Sequence, residues 1–378
     1  MRPKFEEGGK LHAFHSLFDA MDTFFYTPEQ TTVSGCHIRD AVDNKRTMFT
    51  VIIALIPALL FGMYNIGYQH YLSLGQVSCY CDNFWGNLGY GFLKILPMLL
   101  VSYIVGLGIE CIFAQIRKHE VSEGYFVTGM LIPLICPPDV PLWQLAIAVA
   151  FAVIIGKEVF GGTGYNFLNP ALVARAFLFF SYPSQMSGDT VWIAEQGDAI
   201  SGATPLGEML AGGVTPHASV LDMFLGFIPG SVGETSVIAI LIGAVILLVT
   251  GIASWRIMLS IFAGGAAMGL VFNMIGANPY MEMPFYYHFL IGGFMFGAVF
   301  MATDPVTAAQ TNTGKYIYGA LIGIMAVLIR VLNPAYPEGM MLSILLLNVF
   351  APLIDYYVVD ANIRRRAKRA KLLVKNNQ

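Results

Sequence analysis

Charged residues are scarce in this sequence. Asp, Glu, Lys and Arg make up 12% of its 378 residues, about half of the roughly 25% usual in soluble domains. A chain of this length has too much surface to cover with so little polar material, which excludes a soluble globular enzyme. The same scarcity excludes a disordered chain, which needs high charge and low hydrophobicity, and a nucleic-acid binder, which needs a basic face. Cysteine is sparse too. Cys36, Cys79, Cys81, Cys111 and Cys136 are odd in number and scattered, which argues against a disulfide scaffold. Only Cys79-Tyr80-Cys81 brings two thiols together, as a plain loop pair or as a metal or redox site. A strand–Gly-x-Gly-x-x-Gly–helix unit is missing as well, so a soluble dinucleotide domain is excluded.

What is present is hydrophobic length. With 56% of residues apolar, the chain reads as an all-α polytopic membrane protein. Stretches near 47–68, 91–115, 122–138, 141–160, 167–182, 235–254, 257–276, 285–303, 316–334 and 339–358 are candidate spans, each close to the about 20 residues a helix needs to cross a bilayer. Pro and Gly interrupt 122–138 and 167–182, which marks them as broken helices lining an internal cavity. Residues 1–46 are too polar for a signal peptide. Within them Leu11, Phe14, Leu17, Phe18, Met21, Phe24 and Phe25 recur at helical spacing, predicting an amphipathic helix on the membrane face or a partner.

The basic residues test this reading independently. Six Lys/Arg precede the first span and seven follow the last, so 13 of 21 lie in the terminal segments. Arg117, Lys118, Arg256 and Lys315 fall on the same side in a ten-span chain, whereas 69–90, 137–141, 183–234 and 277–284 hold none. The positive-inside rule then puts both termini in the cytoplasm and 183–234 outside. The expected organisation is a cytoplasmic segment 1–46, a first membrane half 47–182, an outer loop 183–234, a second half 235–358 and a basic tail 359–378. Five spans per half predict an inverted repeat, echoed by Phe126-x-x-Gly129 running to Asp139 against Phe289-x-x-Gly292 running to Asp304.

Ionisable groups within apolar spans are costly and are functional candidates by default. Glu110, Asp304 and Asp355 stand out, with Lys157, Glu158, Arg175 and Arg330 in or near the apolar zone. The acids suit a hard cation or proton relay; internal ion pairs with Lys157 or Arg330 are the other reading. The run Gly161-Gly162-Thr163-Gly164-Tyr165-Asn166-Phe167-Leu168-Asn169-Pro170 predicts a tight re-entrant turn into a helix. Asp198-Ala199-Ile200-Ser201-Gly202-Ala203-Thr204-Pro205, taken by itself, is an exposed turn of small residues.

That last segment resembles the flavinylation motif, in which a Thr hydroxyl is esterified to the phosphate of FMN. Together with His37-Ile38-Arg39-Asp40, Phe61-Gly62-Met63-Tyr64-Asn65, Gly156-Lys157-Glu158-Val159-Phe160, Ala174-Arg175-Ala176-Phe177 and Met301-Ala302-Thr303-Asp304-Pro305, it makes nearly the whole chain similar to the B subunits of the sodium-translocating NADH:quinone oxidoreductases. The resemblance implies one component of a six-subunit complex of the bacterial inner membrane. It implies FMN on Thr204, set by a flavin transferase within Asp198, Ser201, Gly202 and Ala203, and non-covalent riboflavin near Asn166 and Asn169. Quinone would lie near Gly106 and Glu110, and sodium would pass by Glu110, Asp304 and Asp355. In one departure from the family pattern, Leu107 separates Gly106 from Gly108. Two alternatives remain open here: the D subunit of the Rnf complex, which shares Ser-Gly-Ala-Thr, and a cofactor-free inverted-repeat solute channel.

Overall fold

Ten apolar stretches fold as ten helical segments, but of very unequal length. The computed structural model describes residues 18, 32, 34–36, 38, 44–77, 79–117, 124–195, 202–210, 218–333 and 339–376. The predicted amphipathic helix near 11–25, and Asp198 and Ser201, lie outside these residues except for Phe18. Among the described residues there is no strand. The first half comprises α1 (Asn44–Ser73), α2 (Phe84–Arg117), α3 (Gly124–Ile135), α4 (Leu142–Gly156) and α5 (Pro170–Ser181). Two short helices follow, α6 (Pro205–Leu210) and α7 (Val220–Leu225). The second half holds α8 (Val237–Val249), α9 (Trp255–Ile275), α10 (Phe294–Phe296, continuing as a π-helical turn Gly297–Met301), α11 (Asn312–Leu332) and α12 (Gly339–Asn376).

Six of these segments are long and apolar enough to span a membrane: α1, α2, α4 with its following turn, α9, α11 and α12. The short ones are α3 and α5 with 12 residues each, α8 with 13, and α10. Sequence reading anticipated breaks at α3 and α5 but not at α8 and α10. The causes are local. Thr250-Gly251, with Gly251 at φ +73°, ends α8, and Gly292 and Gly293, at φ +68° and +66°, unwind the chain before α10, a left-handed geometry that glycine adopts without steric cost. At the other extreme α12 runs 38 residues, well past residue 358, and carries the basic tail as one helix.

The short helices start where their caps dictate. Asn169 accepts the Ala171 amide at 3.0 Å and Pro170 fills the first turn of α5. Thr311 and Ser236 cap α11 and α8 in the same way. Helix α3 is buried from Thr128 to Ile135, so it packs against protein on every side. By contrast Ile53, Leu60, Leu93, Ile104, Leu241 and Val249 are exposed, as lipid-facing residues must be. Close helix contacts rely on missing side chains: a Cβ on Gly91 would lie 1.8 Å from the Met63 carbonyl of α1.

The two halves repeat one another in outline. In the first, α2 packs on α4 and α4 on α5; in the second, α9 packs on α11 and α11 on α12. Each contains a short helix as its third segment, α3 or α10. Asp139 and Asp304 follow these two helices, whereas Gly129 sits within α3 and Gly292 before α10, so the sequence echo is only partly reproduced in space.

Candidate functional site

One end of the bundle is hollow. A cavity with about 770 Å³ of empty space, counting the part open to solvent, is walled by Thr47, Gly124, Lys157, Asn166, Asn169 and Asp304, with Leu131, Leu247 and Phe300 as its apolar floor. The starts of α1, α3 and α5 thus meet the ends of α4, α8 and α10. All of these fall on the side that the Lys/Arg count makes basic. At the opposite end, Lys94 bonds Asp139 at 3.2 Å and Glu195 at 2.9 Å, while buried His70 contacts the Ala194 carbonyl at 2.9 Å. The Lys94 bond holds the Glu195 carboxyl below its usual range. These contacts strap segment 183–195 onto the first half.

Three expected site residues converge on the cavity. Asn166 closes the glycine-rich turn on itself, accepting from the Gly164 amide at 3.3 Å and donating to the Leu168 carbonyl at 3.1 Å. Asn169 spends its Oδ1 on the α5 cap, leaving its Nδ2 for the cavity. Asp304 lies at the far wall, its carboxylate accepting from the Val306 amide at 3.1 Å and the Thr307 hydroxyl at 3.0 Å.

Glu110 and Asp355 sit outside the cavity wall and reach it through neighbours. Glu110, on α2, pairs with Lys157, and each side chain is 3% exposed. The Lys157 ammonium also lies 5.9 Å from the centre of the Tyr125 ring. Gly106 faces the same ring so closely that a Cβ there would come 1.8 Å from it, while Gly108 opens to empty space. Asp355 accepts from the amides of Gln310 (2.6 Å) and Thr311 (3.0 Å) and from the Thr311 hydroxyl (2.5 Å). It therefore clamps the start of α11 and the loop that begins at Asp304. Between α2 and the turn after α4, Arg117 bonds Glu158 at 3.3 Å, so the ion-pair reading applies to Glu110 and Glu158.

Thr204 is at the other end of the molecule. It caps α6, its Oγ1 accepting the Gly207 amide at 3.2 Å. Gly202 is buried, Ala203 and Thr204 are half-buried, and the nearest atom to a Cβ on Gly207 would be that same oxygen, at 3.5 Å. Helix α6 is docked on the second half: Tyr280 donates to the Leu206 carbonyl at 2.7 Å, and the Leu206 side chain fills the space beside Gly292. An ester at Thr204 would replace the hydroxyl hydrogen and leave the oxygen able to accept from the Gly207 amide.

Sequence reading missed Glu234. It bonds Arg175 of α5 at 2.7 Å and touches Gly293. The residue reads as the end of a polar outer loop, and no local signal marks it as a partner for a half-helix 59 residues earlier. Fully buried Arg330 binds the carbonyls of His288 (2.8 Å), Ile291 (3.1 Å) and Gly292 (3.2 Å). Cys79 and Cys81 are free and exposed, and among the described residues no cluster of His, Cys, Asp and Glu could hold a metal ion.

The comparisons agree on one family. The model of the NQR2, RnfD, RnfE family matches residues 31–364. The B subunit of the Na(+)-translocating NADH-quinone reductase of Ectopseudomonas mendocina (strain ymp) is 51% identical over 390 residues, covering 97% of this chain and 96% of that protein. The protein of the same name from Chromohalobacter salexigens is 51% identical, covering 98% and 95%; that of Azotobacter vinelandii is 50% identical, covering 97% and 96%. The chain therefore belongs to the NQR2, RnfD, RnfE family.

Proposed function

We propose that this chain is the membrane-embedded B subunit of a sodium-translocating NADH:quinone reductase, holding FMN on Thr204 and riboflavin in the basic-end cavity. The observation that carries the reading is the near-complete alignment, at half identity, with proteins of that name. The seating of the Thr204 hydroxyl among small residues supports the FMN attachment. Bound flavins supply one- and two-electron transfer. The chain's own residues provide their setting: Asn169 offers a hydrogen-bond donor beside an apolar floor, and Asp304 and Lys157 set the local charge. In this reading the basic end is cytoplasmic, both termini included, and the Thr204 end faces outward from the bacterial inner membrane. The quinone approaches the α2 face carrying Gly106 and Glu110, where Gly108 leaves open space. Sodium enters past Asp304, with Asp355 and Glu110 shaping its route. NADH is oxidised on partner subunits, and a flavin transferase acts outside the membrane.

The test is reconstitution of the complex purified through this chain. NADH should reduce quinone and drive sodium into liposomes, with both rates falling together when sodium is withdrawn. Electron delivery from ferredoxin, with no quinone reduction, would assign the chain to the Rnf-type branch instead. Solute flux through this chain alone, without flavin, would make it a permease.

A further inference from the structure

Helix α12 does not stop where its apolar stretch stops. It continues past residue 358 to Asn376 without a break, and at 1.5 Å per residue that extension adds about 27 Å. The headgroup layer on one side of a bilayer is only about 5–7 Å deep, so from Arg364 onward an unbroken helix has left the membrane. Residues 361–371 are all exposed. Arg364, Arg365, Arg366, Lys368, Arg369 and Lys371 lie among them with no acid. The acid just before them, Asp360, bonds Arg364 at 2.8 Å; among the described residues the other five bases have no acidic partner. Arg364 and Lys368, Arg365 and Arg369, and Lys368 and Lys371 stand one turn apart, and like charges at that spacing oppose a helix. The stabilising pull of the helix dipole on bases is confined to the last turn.

The charges are sorted around the helix. Tyr356, Ile363, Ala367 and Ala370 recur at spacings of seven, four and three, with Asp360 at the remaining place, which is the seam of a heptad repeat. The seam is uncovered: Tyr356 is 65% and Ile363 59% exposed. Arg364, Arg366 and Lys371 fall at the positions flanking it, whereas Arg365, Lys368 and Arg369 fall on the outer side. We infer that the extension of α12 is one strand of a short coiled coil, whose other strand is a helix of a partner subunit with an apolar seam edged by Asp and Glu. This rests on the chain being one subunit of a complex. Residues flanking a coiled-coil seam choose the partner by charge, and here all three are basic. A second copy of this chain would set like charges against each other along the seam and is disfavoured on that ground. A lipid surface fits no better, for a helix lying on it needs a broad apolar face, and this one is a narrow line with two alanines, carried off the membrane by the span it continues. The alanines let a partner backbone come close and leave the larger apolar side chains to the partner.

The experiment uses the complete complex, purified in detergent through this chain and washed with rising potassium chloride. A wild-type chain that purifies alone overturns the subunit reading together with this contact; a complex that assembles tests the contact by itself. Replacing the flanking set, Arg364→Glu with Arg366→Glu and Lys371→Glu, should lower the salt concentration that strips a partner subunit at least threefold. Replacing the outer set, Arg365→Glu with Lys368→Glu and Arg369→Glu, changes the net charge equally and should leave that concentration within about 1.5-fold of wild type. Equal effects of the two sets would mean diffuse attraction to lipid or protein and would overturn the inference. A photoreactive side chain in place of Ile363 gives a second readout, which decides the matter if the flanking variant does not assemble. It should cross-link to one partner segment in which apolar residues recur at spacings of three and four beside Asp and Glu, and the same probe in place of Arg365 should not. Cross-links from position 363 to lipid, to a second copy of this chain, to its own residues 1–43 or to a segment without that pattern, or none at all, would overturn it.

Discussion

The Glu110–Lys157 pair offers a prediction whose size follows from its burial. Both side chains are 3% exposed, so neither charge can be rescued by water when its partner is removed. Breaking a buried pair from one side costs about 3–5 kcal/mol, whereas replacing both members with apolar residues of similar volume is often neutral or stabilising. Lys157→Met and Glu110→Leu should therefore each destabilise the complex by about that amount, while the double variant should lie within about 1 kcal/mol of wild type. Reversible unfolding in mixed micelles, run as a double-mutant cycle, measures this. Single variants within about 1 kcal/mol of wild type, or a double variant that shows the sum of the two losses, would refute the buried-pair argument.

Other outcomes follow from single contacts. Asp355→Asn loses the acceptor for one amide at the start of α11 and should cost about 0.5–2 kcal/mol, the range for a lost helix cap; Thr311→Val should add a further loss of similar size, since it also removes the α11 cap on the Gly314 amide. Gly106→Ala should displace Tyr125 and cost about 1–3 kcal/mol by overpacking, read as a lower melting temperature that Tyr125→Phe does not restore, because the ring carbon Cζ is itself the nearest clashing atom. In the turn at the Thr204 end, Tyr80 donates to Asp222 at 2.7 Å. That bond lowers the Asp222 pKa and raises that of Tyr80 to about 12. A lowered acid stabilises the fold above its unfolded pKa, about 3.9, and loses that contribution as pH falls through the lower folded value. A raised tyrosine stabilises below its unfolded pKa and loses that contribution as pH rises from about 10 to 12. Protection of the amides in residues 79–83, relative to their intrinsic exchange rate, should fall at both extremes; Tyr80→Phe should abolish the alkaline dependence and weaken the acid one, since Ser219 also bonds Asp222.

Much of this architecture could be read from the chain itself, because a bilayer restricts what a sequence can do. Charge scarcity excluded water as the surrounding medium, and the sorting of Lys and Arg grouped the segment ends that the basic-end cavity then brings together. The glycine-rich run marked a turn into α5, though the sequence reading begins that span at 167, ahead of the Asn169-Pro170 cap. Segment length was harder. Hydropathy does not distinguish a helix from an unwound apolar strand of backbone, so the interruptions at Gly251 and Gly292-Gly293 passed as ordinary span residues. Pairing was harder still. Glu110 with Lys157 and Arg175 with Glu234 are separated by 47 and 59 positions, and only the fold decides which base meets which acid. Asp355 stands out in the sequence as an acid in an apolar span, but that it clamps the Asp304 loop through its hydrogen bonds is visible only in the fold.

The central claim is that this chain carries a flavin on Thr204. Intact-mass measurement of the chain, expressed with a flavin transferase and separated under denaturing conditions, tests it most directly. Wild type should gain the mass of FMN less one water and fluoresce in the gel, and Thr204→Val should do neither while its helical content is unchanged. A wild-type chain of unmodified mass, or flavin retained by Thr204→Val, would contradict the account.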